Sequence, residues 1–325
     1  MDRRSWTLLL VLGAIWGSSY MFIKIAVDDL SPAMVAWSRI LLAAFVLCGL
    51  AAARGVLRGM GDRAPVLALV GAVQVAGPFL LISAGEEEIS SSLAGILVTS
   101  APLFTALLAI WVDHEERSHG LRLGGVLLGA VGVAVLLGVD LGGSGNELLG
   151  GLAVVLAGFG YAVGGLLVKH RLADVPPIGV AAWVMVASTA LLAPAAALTT
   201  PADAPGAGPI AAVVVLGVLG TGIAFAIFYD LIGRVGPARA FVVTYLAPGF
   251  AVVYGATLLD ETITAATIAG LLLILAGSWL AAEGRLPRVG PLRRVGGPGL
   301  DPAAEQRGSG VPVVPELAPE RVESR

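Results

Sequence analysis

Four side chains in the first long apolar run carry the chemistry of recognition. In the stretch W-G-S-S-Y-M-F-I-K, Trp16, Ser19, Tyr20 and Lys24 stand at i, i+3, i+4 and i+8. At 100° per residue they share an arc of about 140° on a helix, and Gly17 leaves room beside them. The group can hydrogen-bond and stack on a small molecule. Trp16 sits near the middle of the run, too deep for the aromatic belt of a membrane surface, so it reads as cavity lining. Lys24 lies nearer the end and reads as snorkelling to the outer interface. An equivalent stripe recurs as Tyr161, Gly164, Gly165 and Lys169. There the aromatic and the lysine stay, while glycines replace the polar pair. Functional groups on one wall and space on the other suit a substrate with one polar end.

Further residues extend this set. Arg39 lies about four residues from the centre of an apolar run, where a charge costs about 3 kcal/mol, and no acid stands at similar depth. Backbone carbonyls, Gln74 or a carboxylate on the substrate are its candidate partners. Pro102 and Pro248 each fall within an apolar run, with Thr99, Ser100, Thr244 and Tyr245 within about one turn before them. Proline removes an amide donor and loosens a helix, which suits a polar-lined wall that moves during gating. The adjacent acids Glu86, Glu87 and Glu88 read as a solvated outer hairpin, or as an outer gate and cation-collecting site paired with Lys24. The candidate substrate-binding set is therefore Trp16, Ser19, Tyr20, Arg39, Gln74, Thr99, Tyr161, Thr244 and Tyr245. Lys24, Glu86, Pro102 and Pro248 are the candidate gating residues.

Two enzyme signals fail on geometry. In H-E-E-R-S-H, His114 and His119 are five apart, about 140° around a helix, so they cannot share a metal as i, i+4 histidines do. None of the three histidines falls in an apolar run, which leaves no intramembrane serine–histidine pair. G-V-L-G-T-G at 217–222 faintly resembles a nucleotide loop, but it follows no strand and reads as helix packing. No enzyme activity, cofactor or metal is expected.

The elements that must position these side chains follow from composition. The chain is 57% hydrophobic and only 13% charged, with mean hydropathy +0.90. A soluble domain is about 25% charged, so this is an integral membrane protein. Its charge of −3 suggests no nucleic-acid partner, and the single Cys48 excludes an intrachain disulfide. Apolar runs long enough to cross a bilayer occur at 6–27, 33–53, 65–85, 91–112, 120–139, 148–168, 178–199, 209–229, 238–259 and 263–282. The N-terminal run is too long for a cleaved leader and reads as the first span. Residues 285–325, rich in proline and arginine, read as a disordered tail. With the N-terminus in the cytoplasm, eighteen of the twenty Lys and Arg lie on the inner side. The positive-inside rule then places both termini there.

Sliding the chain by about 145 residues brings landmarks into register. Lys24 falls on Lys169, Pro32 on Pro177, Gly71 on Gly217 and Phe79 on Phe225. A-P-L-F at 101–104 falls on A-P-G-F at 247–250, and Glu115 on Glu261. Gly125 and Gly132 fall on Gly270 and Gly277. The chain is thus two halves, 1–142 and 146–284. Five spans per half is odd, so the second half enters the membrane in the opposite sense. Inverted repeats of this kind build secondary transporters, with the substrate near the midplane between the halves. A non-transporting scaffold or sensor could retain the same duplication. A solvent-reachable cavity lined by Trp16, Ser19, Tyr20 and Tyr161 would distinguish the two.

The same residues resemble a known family. W-G-S-S-Y-M-F-I-K with Ser31, Pro32 and Arg39, A-P-L-F-T at 101–105, Glu115 and G-V-L-L-G-A-V-G at 125–132 carry the likeness in the first half. G-P-A-R-A at 236–240, Y-L-A-P-G-F at 245–250, Asp260 with Glu261, and G-L-L-L-I-L-A-G at 270–277 carry it in the second. They are similar to the ten-span EamA-type transporters of the drug/metabolite transporter superfamily, over about residues 6–283. The resemblance implies an all-α membrane protein of the inner membrane. It would export a small metabolite, amino acid or drug-like compound by alternating access. No carboxylate sits deep in an apolar run, so coupling stands open among proton antiport, facilitated exchange and uniport. G-E-E-E-I at 85–89 departs from the family, which usually carries polar or aromatic residues there.

Overall fold

The computed structural model describes residues 1–57, 59–112, 121–140 and 145–283. The expected disordered tail at 285–325, the rejected His114–His119 motif and Glu115 lie outside them. The described residues form ten helical segments and no strands. In chain order these are α1 (Arg3–Ala26), α2 (Pro32–Ala53), α3 (Gly61–Glu88), α4 (91–112), α5 (121–140), α6 (Gly145–Arg171), α7 (Pro177–Leu198), α8 (Ala207–Val235), α9 (237–258) and α10 (Ala265–Glu283). Nine of these described runs are long and apolar enough to cross a membrane as single helices. α9 reaches that length only across a break. A short turn at Pro237–Ala240 stops at Phe241, and Val243–Leu258 resumes the helix. The expected continuous span at 238–259 is therefore broken near its start.

Short polar side chains set the helix starts. The Asp2 carboxylate accepts from the Ser5 amide at 3.0 Å, and Ser31 and Ser90 cap α2 and α4 in the same way. Thr264 and Thr267 exchange bonds reciprocally at the head of α10, each amide donating to the other hydroxyl. Each cap satisfies amides that a helix start would leave unpaired. Pro32 and Pro177 occupy the first turns of α2 and α7, where a missing N–H costs nothing. Gly236, at φ 82°, makes the turn between α8 and α9, a conformation open to glycine.

The packing has the symmetry that inverted halves require. α1 packs on α9 as α4 packs on α6; α3 on α6 as α1 on α8; α2 on α8 as α3 on α7. The pairs α2–α7, α5–α10 and α4–α9 map onto themselves. Adding five to each helix number reproduces the list, as a two-fold axis in the membrane plane would. Glycines make the tightest of these contacts. A Cβ on Gly277 of α10 would stand 2.4 Å from the Gly129 nitrogen of α5, and one on Gly17 of α1 2.7 Å from the Ala247 oxygen of α9. Such small-residue seams are how helices approach closely in lipid, where no hydrophobic force drives them together. Gly160, Gly164, Gly217, Gly220 and Gly222 likewise sit against neighbouring helices, as helix packing of 217–222 requires.

Two wide turns interrupt the regular helix at equivalent places. α3 is π-helical over Gly71–Ala76 and α8 over Val215–Ile223. Turns of this kind shift the side chains that follow them and often mark functional sites. α4 tightens to a 3-10 turn over Val98–Ser100, immediately before Pro102, whereas Pro248 lies within the helix Val243–Leu258.

Candidate substrate site

The first-run stripe divides among three environments. Trp16 packs into an aromatic group on α8, with ring centroids 6.1 Å from Phe225 and 5.2 Å from Phe228. Ser19 is buried, donates to the Ile15 carbonyl at 3.2 Å, and lies against Gly220. Tyr20 turns toward α4, its ring edge against Gly95, and shares an apolar cluster with Tyr161. Lys24 does not snorkel. Its Nζ donates to the carbonyls of Glu86 at 2.5 Å and Ile89 at 3.0 Å, at the C-terminal end of α3. A cation bonded to the last carbonyls of a helix is favoured by their unpaired lone pairs and by the helix dipole. These bonds replace the contacts with water that snorkelling would have supplied.

The three acids are not a hairpin loop. They form the last turn of α3, and they divide: Glu86 is 0% exposed while Glu87 and Glu88 face outward. Neither carboxylate oxygen of Glu86 has a hydrogen-bond partner. Arg39, expected to stand without an ion-pair partner, is 7% exposed and within electrostatic reach of Glu86, Tyr20 and Tyr161. Its Nε donates to the Thr221 hydroxyl at 2.8 Å, and its guanidinium lies 4.0 Å above the Phe79 ring. Thr221 donates its own hydrogen bond to the Leu216 carbonyl five residues back, inside the π turn of α8. The wide turn thus presents a hydroxyl oxygen to the arginine. Gln74, a candidate partner for Arg39, instead packs its side chain on Gly164 of α6.

Tyr20 and Arg39 thus each lie within electrostatic reach of the other and of Glu86 and Tyr161, with Tyr161 alone of the four coming from the second half. Tyr20 is six residues from the end of α1 and Arg39 seven from the start of α2. At 1.5 Å per residue that is about 10 Å from the helix ends opposite the N-terminus. The other candidates lie apart. Thr99 donates to the Ile96 carbonyl, and its own carbonyl accepts from Ser278 of α10 at 3.2 Å. Thr244 bonds the Phe241 carbonyl at the break of α9, and Tyr245 follows it there. Two cavities, of about 190 and 250 Å³, open elsewhere. One lies among Leu103, Phe104, Val126 and Val155, the other among Glu88, Asn146 and Gly150. Neither is lined by Trp16, Ser19, Tyr20 or Tyr161.

A model of the EamA-like transporter family matches the chain twice, over residues 4–138 and 148–282. The chain belongs to this family. Within it, the chain is 26% identical over 297 residues to a protein of Salmonella typhimurium described as a probable amino-acid metabolite efflux pump, covering 87% of this chain and 96% of that one. It is 28% identical over 293 residues to a probable terminal-alkyne amino-acid exporter of Streptantibioticus cattleyicolor, covering 89% and 96%. An uncharacterised inner membrane transporter of Escherichia coli, YedA, is 28% identical over 262 residues, covering 79% and 83%. One solved structure shares the fold of this EamA-like chain at a TM-score of 0.62 and 23% identity, over 86% of this chain and 97% of that one. The chain is thus a transporter-family membrane protein of two inverted five-helix repeats.

Sequence reasoning missed three residues of this region. Thr221 reads as part of the glycine packing, although it and Tyr229 are the only hydroxyls in the apolar run 209–229. Phe79 was noticed only as a repeat landmark. Glu261 was noticed in the same way, yet its carboxylate accepts from the amides of Ser91 at 2.7 Å and Ser92 at 3.0 Å and from the Ser92 hydroxyl. A carboxylate from the second half thus caps a helix of the first. The signal for it was an acid recurring at the same place in both halves.

Proposed function

We propose that the chain exports a small metabolite, amino acid or drug-like compound across the inner membrane, with both termini cytoplasmic and residues 1–142 and 146–284 as the moving halves. The observation that carries the reading is Arg39 of one half, bonded to Thr221 of the other and within electrostatic reach of Tyr20, Glu86 and Tyr161. Ionisable groups inside a membrane bundle are costly and mark substrate or ion paths, and the meeting plane of inverted repeats is where such paths lie. The names carried by the relatives support export of amino-acid metabolites, and the excess of cations on one side supports the orientation. Pro102, Pro248, Lys24 and Glu86 are the proposed gating residues. Trp16, Ser19, Gln74, Thr99, Thr244 and Tyr245 are proposed to line the path as the halves rock apart.

The alternative is a scaffold or sensor on the same duplicated fold that no longer transports. Uptake by proteoliposomes across an amino-acid and drug panel, with and without a pH gradient, separates the two. Export predicts uptake that falls at least tenfold in Tyr20→Ala. A panel on which nothing moves overturns it, and native kinetics in both Tyr20→Ala and Arg39→Ala overturn the site assignment. A pH gradient that drives accumulation identifies protons as the coupling ion.

A further inference from the structure

One side chain clasps α4 and α9 at the ends opposite the N-terminus, the outer ends in the orientation proposed above. Glu261 follows α9 in the second half. Its carboxylate accepts from the Ser91 amide at 2.7 Å, the Ser92 amide at 3.0 Å and the Ser92 hydroxyl at 2.5 Å, all at the start of α4 in the first half. Bonds to an ionised group are roughly twice as strong as neutral ones, and a helix start favours an anion. Ser90 takes the next amide of α4, that of Leu93. Glu261 is not needed at the start of its own helix, because Thr264 and Thr267 close the head of α10 between them. The backbone is shaped for this reach across the halves. Asp260 holds φ 53° and is the one non-glycine residue with positive φ among those described. Such a conformation persists only where the surroundings impose it. The resulting turn brings the amides of Leu259 and Glu261 onto one carbonyl, that of Gly255. Gly255 also leaves the socket open, since a Cβ there would collide with the Ser92 hydroxyl and the Glu261 carboxylate.

The donors of this clasp are not repeated at the inner end of the same seam. α4 and α9 are equivalent helices in contact, so the two-fold axis carries the outer end of their seam onto the inner end. In the register set by Pro102 and Pro248, Ser90, Ser91 and Ser92 fall on Gly236, Pro237 and Ala238. Proline has no amide to give and alanine no hydroxyl, so one donor of the three remains. There α9 runs only over Pro237–Ala240 before it breaks. The α2–α7 seam differs, being bonded at both ends: the Ser31 hydroxyl donates to that of Thr199 outside, and the Trp183 indole donates to the Leu57 carbonyl inside. We propose that Glu261 is the latch of the outer gate. While it holds Ser91 and Ser92, the halves are locked at the outer end of the α4–α9 seam, and they part there only when the carboxylate lets go. Because the inner end lacks the matching donors, the chain rests closed to the outside. The assignment rests on the transport reading and adds to it which side is held shut.

The test measures distances between pairs of nitroxide labels on the full chain in liposomes, in a Cys48→Ser background and without substrate. One pair, Glu88→Cys with Leu258→Cys, spans the outer ends of the two halves at exposed positions. The other, Leu121→Cys with Phe241→Cys, spans the inner ends, also at exposed positions. The chain with Glu261 intact is expected to show one short distance at the outer pair. Glu261→Ala should raise the open-to-closed ratio there by roughly tenfold or more and shorten the inner pair, as rocking halves require. Ser92→Ala, which loses one of the three donors, should move the ratio part of the way. Ser91→Ala should leave it unchanged, because that hydroxyl has no partner. Should Glu261→Ala fail to fold, Glu261→Gln keeps one acceptor and is expected to give an intermediate shift. An unchanged outer distance in the folded Glu261 variant overturns the latch. So does an outer lengthening with no inner shortening, the mark of a cap that only holds the fold, or an equal shift in Ser91→Ala and Ser92→Ala. No substrate enters the measurement. An uptake panel on which nothing moves therefore sinks the transport reading by itself, whereas unchanged distances in a chain that transports sink the latch alone.

Discussion

The two halves share a scaffold and differ in their chemistry. In the register that aligns them, Ser19 and Tyr20 of the first half stand opposite Gly164 and Gly165 of the second, Arg39 opposite Val184, and Glu86 opposite Ile232. The packing residues are kept: Gly125 and Gly132 on α5 stand opposite Gly270 and Gly277 on α10, and these helices pair along that seam. Symmetry is retained where helices must touch and lost where polar groups are placed. The second half contributes Tyr161 and Thr221 to the surroundings of Arg39, together with glycines that admit Gln74 and Ser19. Inversion supplies two bodies that can rock against one another. The asymmetry means that only one of them carries most of the charge.

Breaking the shared scaffold should have the largest effect. In Gly277→Leu the new Cβ alone would stand 2.4 Å from the Gly129 nitrogen and 2.6 Å from its Cα, and backbone cannot give way as a side chain can. The expected cost is about 3 kcal/mol or more, seen as loss of a cooperative melt in detergent. Gly132→Leu, its counterpart, meets the side chains of Ile274 and Leu273 at 2.9 Å and the Gly270 backbone oxygen only at 3.0 Å, and should cost less. Equal melting in both variants would show that the seam is symmetric in contact as well as in sequence.

Contacts that tie one half to the other come next. Glu261→Ala removes the carboxylate that caps α4 and leaves the amides of Ser91 and Ser92 unpaired, an expected loss of about 2 kcal/mol. Glu261→Gln, which keeps an acceptor, should recover part of the lost Tm. An unchanged melt in Glu261→Ala would show that docking of the halves does not depend on this cap. Lys24→Met frees the carbonyls of Glu86 and Ile89 and should cost about 1 kcal/mol. That loss lies wholly within the first half. If it exceeded the Glu261 loss, the weak place would be inside a half and not between the halves.

How much of this was legible follows from which residues report on themselves. Ten apolar runs, two halves and their inversion follow from span length and register, because a bilayer imposes both on the sequence directly. Tyr20, Arg39 and Tyr161 stand within apolar runs as polar groups where lipid should be, whereas Glu86 reads as a solvated or gating acid just beyond one. That they lie within electrostatic reach of one another was not legible, since it depends on how α1, α2, α3 and α6 pack. The Lys24 reading failed for the same reason. An amphipathic side chain near a helix end can reach water or a carbonyl of a neighbouring helix, and sequence does not show the neighbour. Arg39 found a hydroxyl made available by a π turn in α8, and no period in the sequence announces a wider turn. The break in α9 was hidden because Phe241 and Val242 are as apolar as the helix they interrupt.

The smallest effect should come from the acids beside Glu86. Glu87 and Glu88 continue the same helical turn yet face outward, so Glu87→Gln removes a charge that water already satisfies. Its stability should change by no more than about 0.5 kcal/mol, and uptake kinetics should match those of the native chain. Glu86→Gln, one residue away, leaves stability near the native value, because a neutral amide replaces an acid whose oxygens have no partner to lose. Its effect should appear in uptake kinetics instead, as the proposed gating role requires. The pair therefore separates two roles that the run of three acids presents as one. If Glu87→Gln altered uptake as much as Glu86→Gln, the acids would act together as a diffuse negative patch. The asymmetry between the halves would then be one of surface charge and not of a built site.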